Sequence, residues 1–246
     1  MDKNHPPHIP FVSVPPGPRL PLSDWLVVFD LDGTLVDSAP GICLAANQAL
    51  ARAWGETSGG PPPWRALSAA DVGPPLASMA RLALGPSWTP ALGARVAALF
   101  SQEYDSQAHL ALDYPGADAC LRRLASLGAA VGLATNKRRR PALCISRSRG
   151  WDALFEDREH ALEDYPSAGS KASALAAQAR AHPRALRAMV GDSESDHRAA
   201  LDAGFGLFIH APWGCATGWT PPPGPIAHAH ASSLSDIVLL LARRAA

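Results

Sequence analysis

Trp25-Leu26-Val27-Val28-Phe29-Asp30-Leu31-Asp32-Gly33-Thr34-Leu35-Val36-Asp37-Ser38 is the stretch that decides how the chain is read. Its first half is a short, uninterrupted apolar run, the kind of strand buried on both faces of a parallel sheet. The run stops at Asp30-Leu31-Asp32-Gly33. Alternate side chains of an extended backbone point the same way, so Asp30 and Asp32 could share one cation or one reacting phosphate. Gly33 then permits a tight turn. An EF-hand loop carries a third oxygen ligand before its glycine and has no buried strand directly upstream, so this string does not fit one. Carboxylates that merely cap a turn are the structural alternative.

The same pattern of apolar run followed by polar residues recurs at Ala130-Val131-Gly132-Leu133-Ala134-Thr135, Ala188-Met189-Val190-Gly191-Asp192 and Gly206-Leu207-Phe208-Ile209-His210. A weaker strand is expected around His160-Ala161-Leu162-Glu163. Helical stretches lie between: Ala117 to Leu127, Arg140 to Arg149, Lys171 to Ala181 and Ser195 to Ala203, each closed by a following Gly or Pro. Such residues are helix stop signals. Strand alternating with helix predicts a parallel α/β sheet with right-handed crossovers.

From about Ala39 to Leu112 the alternation fails. Ala- and Leu-rich helical patterns at Ile42 to Trp54, Leu76 to Leu84 and Ala91 to His109 are separated by Pro and Gly clusters, including Gly59-Gly60-Pro61-Pro62-Pro63 and Gly73-Pro74-Pro75. The expected organisation is a Pro-rich flexible arm over residues 1–23, a core over 24–38 and 113–246, and a helical insertion over 39–112. A last amphipathic helix is expected from Ser233 to Arg244, after a Pro/Gly loop at Pro221 to Pro225.

Composition narrows the function. The 246 residues are 47% hydrophobic and 18% charged with zero formal net charge, which argues against wholesale disorder and a fibrous repeat. No global field draws the chain to nucleic acid or an anionic membrane, and no apolar run reaches the roughly 18–20 residues of a membrane span. Cys43, Cys120, Cys144 and Cys215 are scattered, with no zinc-site spacing and no disulfide framework. The N-terminal arm lacks the basic-then-apolar profile of a signal peptide. A cytoplasmic location is expected, with a monomer or homodimer and neither nucleic acid nor membrane as partner.

The polar residues gather where apolar strands end, and doubly wound sheets bind ligands outside the carboxyl ends of their strands. Thr135-Asn136 offers a hydroxyl and backbone N–H groups at an expected helix N-terminus, a natural anion seat. Lys137-Arg138-Arg139-Arg140 follows. A solvated surface cluster is the favoured reading of that run, with attraction of an anionic substrate as the alternative. Gly191-Asp192-Ser193-Glu194-Ser195-Asp196 adds carboxylates that, beside Asp30 and Asp32, would suit hard Mg²⁺. Either Asp192 or Asp196 could instead cap a helix.

Taken in order, Asp30 to Ser38, Thr135-Asn136, Lys171 and Gly191 to Asp196 closely resemble the four motifs of the haloacid dehalogenase (HAD) superfamily, in its phosphoglycolate phosphatase-like branch. Val72-Gly73-Pro74-Pro75-Leu76 is similar to that branch's cap segment and Tyr114-Pro115-Gly116 to its return to the core. The resemblance runs from about Leu26 to Gly214 and implies a Rossmann-like, three-layer parallel sheet core with a small inserted helical cap. Two departures stand out: Ala172 follows Lys171 where many relatives have Pro, and Tyr165 to Ser170 is an unusual approach to the third motif.

The resemblance implies that Asp30 is the nucleophile and Asp32 the general acid/base. It makes Thr135, Asn136 and Lys171 the phosphate-binding groups. Mg²⁺ would be held by Asp30, the Asp32 backbone carbonyl and Asp192, with Asp196 behind the metal or Lys171. Cap residues Arg52, Trp54, Trp64, Arg65 and Arg81 are candidate substrate contacts, though each also reads as a surface or packing residue. The expected activity is hydrolysis of a small phosphorylated metabolite, with phosphoglycolate the leading candidate. A phosphomutase of the β-phosphoglucomutase type and a catalytically silent anion- or partner-binding module are the alternatives. Dehalogenation is disfavoured by the second carboxyl group at Asp32.

Overall fold

The computed structural model describes residues 22–57, 60, 64–72, 76–165, 169–214 and 218–245. Outside them lie most of the expected Pro-rich arm, most of the Gly59–Pro63 cluster, Gly73-Pro74-Pro75, Pro166 to Ala168 and Cys215.

In chain order the elements are β1 (Trp25–Phe29), β2 (Val36–Asp37), α1 (Ala39–Thr57), α2 (Leu76–Leu84), α3 (Pro90–Gln107), β3 (Leu112–Asp113), α4 (Ala117–Ser126) and β4 (Ala130–Ala134). They continue with α5 (Arg139–Ser148), α6 (Asp152–Phe155), β5 (Glu159–His160), α7 (Lys171–Ala181), β6 (Leu186–Gly191), α8 (Glu194–Asp202), β7 (Leu207–His210), β8 (Ala227–His230) and α9 (Asp236–Ala245). Six strands form one sheet in the order β5-β4-β1-β6-β7-β8, and every pairing in it is parallel. The expected parallel α/β core is therefore present.

Strand periodicity explains the layers. Trp25, Val27 and Phe29 pack on one face of β1 with Leu121, Ile145 and Ile237 of α4, α5 and α9. Leu26 and Val28 pack on the other face with Leu175 of α7 and Ala200 of α8. A strand clad on both sides must be apolar throughout, and all five residues of β1 are buried. The chain between β2 and β3 builds a third interior from Ala49, Leu50, Met79, Leu84, Val96 and Leu99 of α1, α2 and α3.

Several expectations shift in detail. The weak strand at 160–163 is only Glu159–His160, because the Asp164 carboxylate accepts the Ala161 N–H and the chain turns at Leu162–Asp164. The last helix begins at Asp236, whose carboxylate accepts the N–H groups of Ser232 and Ser233 ahead of it. The edge strand β8 and the short antiparallel pair of β2 with β3 are additions. No described helix is long and apolar enough to cross a membrane.

Candidate active site

The central position of β1 sets the site. Asp30 continues the sheet ladder by one residue, its N–H donating to Val190 O at 2.9 Å. The residues just past β1, β4 and β6 are Asp30, Thr135 and Asp192, so three adjacent parallel strands deliver their next residues to one place. Gly33 then reverses the chain with a φ of 82°. A Cβ on Gly33 would stand 2.4 Å from Asp192 Oδ2, so the turn packs directly on that carboxylate. From the other side a Cβ on Gly214 would meet Asp192 Cβ at 2.3 Å, and Trp213 Nε1 donates to Thr34 O at 3.1 Å. The segment after β7 thus closes over the turn.

Lys171, the first residue of α7, reaches back into this cluster. Its ammonium lies 2.8 Å from Asp30 Oδ1 and also pairs with Asp196 Oδ1. The other oxygen of Asp196 accepts the Ser193 hydroxyl at 2.6 Å and the Ser193 N–H at 3.1 Å. Asp30, Lys171, Asp192 and Asp196 are all buried. Burial opposes the Lys171 charge, but Asp196 and Asp30 outweigh it and hold its pKa above the ordinary lysine value. The Asp30 carboxyl is raised to about 7: burial pushes it up most, Lys171 pulls against that, and Asp196 and Asp32 add to the rise.

Asp32 has different partners. Its Oδ1 accepts the Ser38 hydroxyl, and its Oδ2 lies 2.8 Å from Lys137 Nζ. Asp30 and Asp32, expected to share a direction, are thus each held by their own lysine. Lys137 corrects the reading of its run as a solvated cluster: its side chain is only 5% exposed. Its ammonium donates to the Tyr104 hydroxyl at 2.6 Å and sits 4.9 Å from the Tyr104 ring centroid. Burial works against this ammonium too, but Asp32 and Tyr104 outweigh it and raise its pKa. Arg138 pairs with Asp105 at 2.7 Å, Arg139 with Asp164 and Arg140 with Asp105 at 3.5 Å; Arg139 and Arg140 are exposed, as a surface cluster would be. The sequence presents Lys137 only as part of its basic run and does not single out Tyr104. The available signals were the position of Lys137 two residues past Thr135 and that of Tyr104 within the helical pattern of 91–109.

Thr135 is buried, and its hydroxyl accepts the Lys137 N–H at 3.1 Å while its carbonyl accepts the Tyr165 hydroxyl at 2.7 Å. Asn136 is exposed and borders a cavity of about 240 Å³ together with Lys171 and Ser195. The cap candidates lie elsewhere. Arg52 pairs with Glu103, Arg65 with Asp71 at 2.6 Å, and Arg81 lies 5.0 Å from the Trp88 ring centroid. Trp54 donates to Gly60 O at 3.1 Å, and Trp64 packs on the interior of the inserted helices.

One carboxylate oxygen from each of Asp30, Asp192 and Asp196 falls within 4.8 Å of the others. Three buried carboxylates face one ammonium, an all-oxygen donor set with excess negative charge that suits a hard divalent cation such as Mg²⁺. Both Asp196 oxygens accept hydrogen bonds, one from Lys171 and one from Ser193. Size alone does not mark the site. A cavity of about 520 Å³ opens at the opposite ends of β1, β6 and β7, lined by Trp25, Leu186, Arg187 and Leu207, far from these groups.

A parallel α/β core that presents buried carboxylates and a clamped lysine beyond its central strand defines an enzyme of the doubly wound class. The description "haloacid dehalogenase-like hydrolase" matches residues 26–204. The chain belongs to that family. It is similar to the phosphoglycolate phosphatase of Cereibacter sphaeroides, 37% identical over 196 residues that span 76% of this chain and 87% of that protein. It is also similar to the tyrosine-protein kinase PtkA of Mycobacterium tuberculosis H37Rv, 34% identical over 197 residues, 78% of this chain and 63% of that protein. Among solved structures, a predicted phosphoglycolate phosphatase from Haemophilus somnus shares the fold with a TM-score of 0.70 at 21% identity, over 89% of this chain and 99% of that one.

Proposed function

We propose that the chain is a Mg²⁺-dependent phosphatase that hydrolyses a small phosphomonoester through an aspartyl-phosphate on Asp30. The observation that carries this reading is the buried lysine clamp, Asp30–Lys171–Asp196, beside Asp192 and at the carboxyl end of the central strand. A carboxylate nucleophile and a phosphate repel one another, and fixed positive charge at the point of attack offsets that repulsion. In the first step a bond forms between an Asp30 oxygen and phosphorus as the bond to the leaving oxygen breaks, and Asp32 passes its proton to that oxygen. In the second, Asp32 takes a proton from water, the water oxygen attacks phosphorus, and Asp30 departs as carboxylate.

Lys171 would neutralise a phosphoryl oxygen, with the Thr135 hydroxyl and the Asn136 backbone as further donors. Mg²⁺ would be held by Asp30, Asp192 and the Asp32 carbonyl, and when bound it supplies the positive charge that polarises the phosphoryl group. The helices α1 to α3 stand where a cap would exclude water. Phosphoglycolate is the first substrate to assay, because the Cereibacter relative is named for it. The thiols Cys43, Cys120 and Cys144 are unpaired, which fits a reducing cytoplasmic setting.

The test is phosphate release from a panel of monoesters with Mg²⁺ and with EDTA. Stoichiometric free phosphate over many turnovers supports hydrolysis. Transfer to a second organic acceptor, as in a mutase or a kinase, would leave phosphate esterified and overturn it.

A further inference from the structure

A cavity of about 360 Å³ begins at Asp32 and runs between the core and the inserted helices. Asp32, Ser38, Lys137, Arg138 and Tyr104 give it polar groups, and the rest of its described lining is apolar, including Ile42 of α1, Val72, Leu76 and Met79 on or beside α2, and Phe100 of α3. Of its two cations, Lys137 is held by Asp32 and Tyr104 and Arg138 by Asp105. The arginines of the insertion named above, Arg52, Arg65 and Arg81, do not line it. Small-molecule sites are apolar clefts of roughly 300–1,000 Å³ with a few placed polar groups, and this cavity has that form.

We propose that this cavity selects a phosphomonoester whose leaving group carries an apolar body of several carbons. The inference rests on the phosphatase reading, since it is Asp32, as proton donor to the leaving oxygen, that marks the cavity as the leaving-group side. Glycolate has two carbons and a carboxylate. It would leave most of the cavity empty and would set its charge among Ile42, Leu76, Met79 and Phe100, where an anion is poorly solvated. The cations that line the cavity, Lys137 and Arg138, each already carry a carboxylate partner. An alkyl or aryl body instead removes those side chains from water, and each methylene buried in such a pocket raises discrimination by about tenfold or more.

The experiment compares kcat/KM for ethyl phosphate, n-hexyl phosphate, 2-phenylethyl phosphate and 2-phosphoglycolate with the full chain and Mg²⁺. Hexyl and phenylethyl phosphate should exceed the other two by about tenfold or more. Leu76→Glu, at a half-buried lining position, should reduce the hexyl-to-ethyl ratio by at least about tenfold. Equal or better turnover of phosphoglycolate overturns the proposal while leaving the phosphatase reading intact. Calorimetric titration with hexylphosphonate and methylphosphonate separates the two failures. Much tighter hexylphosphonate binding supports the assigned cavity even if no ester turns over, a result that would sink the phosphatase reading alone; equal binding overturns the cavity assignment.

Discussion

Lys137 Nζ lies 2.8 Å from Asp32 Oδ2, and the same nitrogen donates to the Tyr104 hydroxyl at 2.6 Å. Asp32 and Lys137 follow core strands β1 and β4, whereas Tyr104 belongs to inserted helix α3. A single ammonium therefore ties the proposed proton donor to the helices that cover it. Lys137→Met should lower kcat by about tenfold or more, and Tyr104→Phe by less, because the ring remains. A double-mutant cycle on kcat/KM should give a coupling of about 0.5–3 kcal/mol, the range for residues in direct contact. Additive effects would show that the contact carries no catalytic information.

Asp30→Asn should reduce turnover by about a thousandfold or more, as expected when a nucleophile is removed. The same variant has a stability signature. The folded carboxyl titrates near about 7, against an ordinary value of 3.8. Between those values the folded state holds more protons than the unfolded one, so wild-type stability falls as pH rises through that window. The melting temperature of the metal-free variant minus that of metal-free wild type should therefore climb from about pH 4 to pH 7 and level off above. Calorimetry across that range checks it; a flat difference would contradict the raised carboxyl.

Mg²⁺ binding should compete with that proton. Titrations at about pH 6 in buffers of different ionisation enthalpy should show up to one proton released per ion, vanishing above about pH 8, with affinity rising over the same interval. Asp192→Asn should weaken Mg²⁺ binding by about tenfold or more.

Lys171→Met should destabilise the fold by roughly 3–5 kcal/mol, because it leaves the buried Asp196 carboxylate without its counter-charge and removes the group that pulls the Asp30 carboxyl down, so that Asp30 stays protonated. Urea unfolding at neutral pH measures the loss. Partial recovery of stability in Lys171→Met/Asp196→Asn would locate its cause in the unpaired Asp196 charge.

Gly33→Ala combines a φ of 82° with a Cβ that would stand 2.4 Å from Asp192 Oδ2. It should cost about 1–3 kcal/mol in unfolding free energy and weaken Mg²⁺ binding as well. A loss of stability with unchanged Mg²⁺ affinity would separate the turn from the metal donors.

The features legible in sequence were those with strong local signals. Trp25 to Phe29 is apolar on both faces and can only be an interior strand, and Gly128, Gly150 and Gly204 stop their helices where expected. Asp30 and Asp192 stood out as carboxylates where apolar strands end, whereas Lys171 came only through motif order, which carries long-range information that periodicity lacks. β8 was hidden because Ala227-His228-Ala229-His230 alternates small and titratable residues at a sheet edge, where little apolar area is buried. β2 and β3 are two residues each, too short for any period. Lys137 was masked by three neighbouring arginines, and its partner Tyr104 lies 33 residues away across a tertiary contact. A helical pattern predicts which face is buried, not what it meets.

The interior of α1, α2 and α3 is separate from the two interiors that clad the sheet, joined to the sheet's side through Ile42 and Phe100. Leu76 and Met79 therefore answer to a different packing problem from Val27 or Leu175. Substitutions at Leu76 and Met79 reshape the cavity within one small cluster, apart from the strands that aim Asp30, Thr135 and Asp192. Lineages descended from this chain are free to change what they accept without relearning how to cut it.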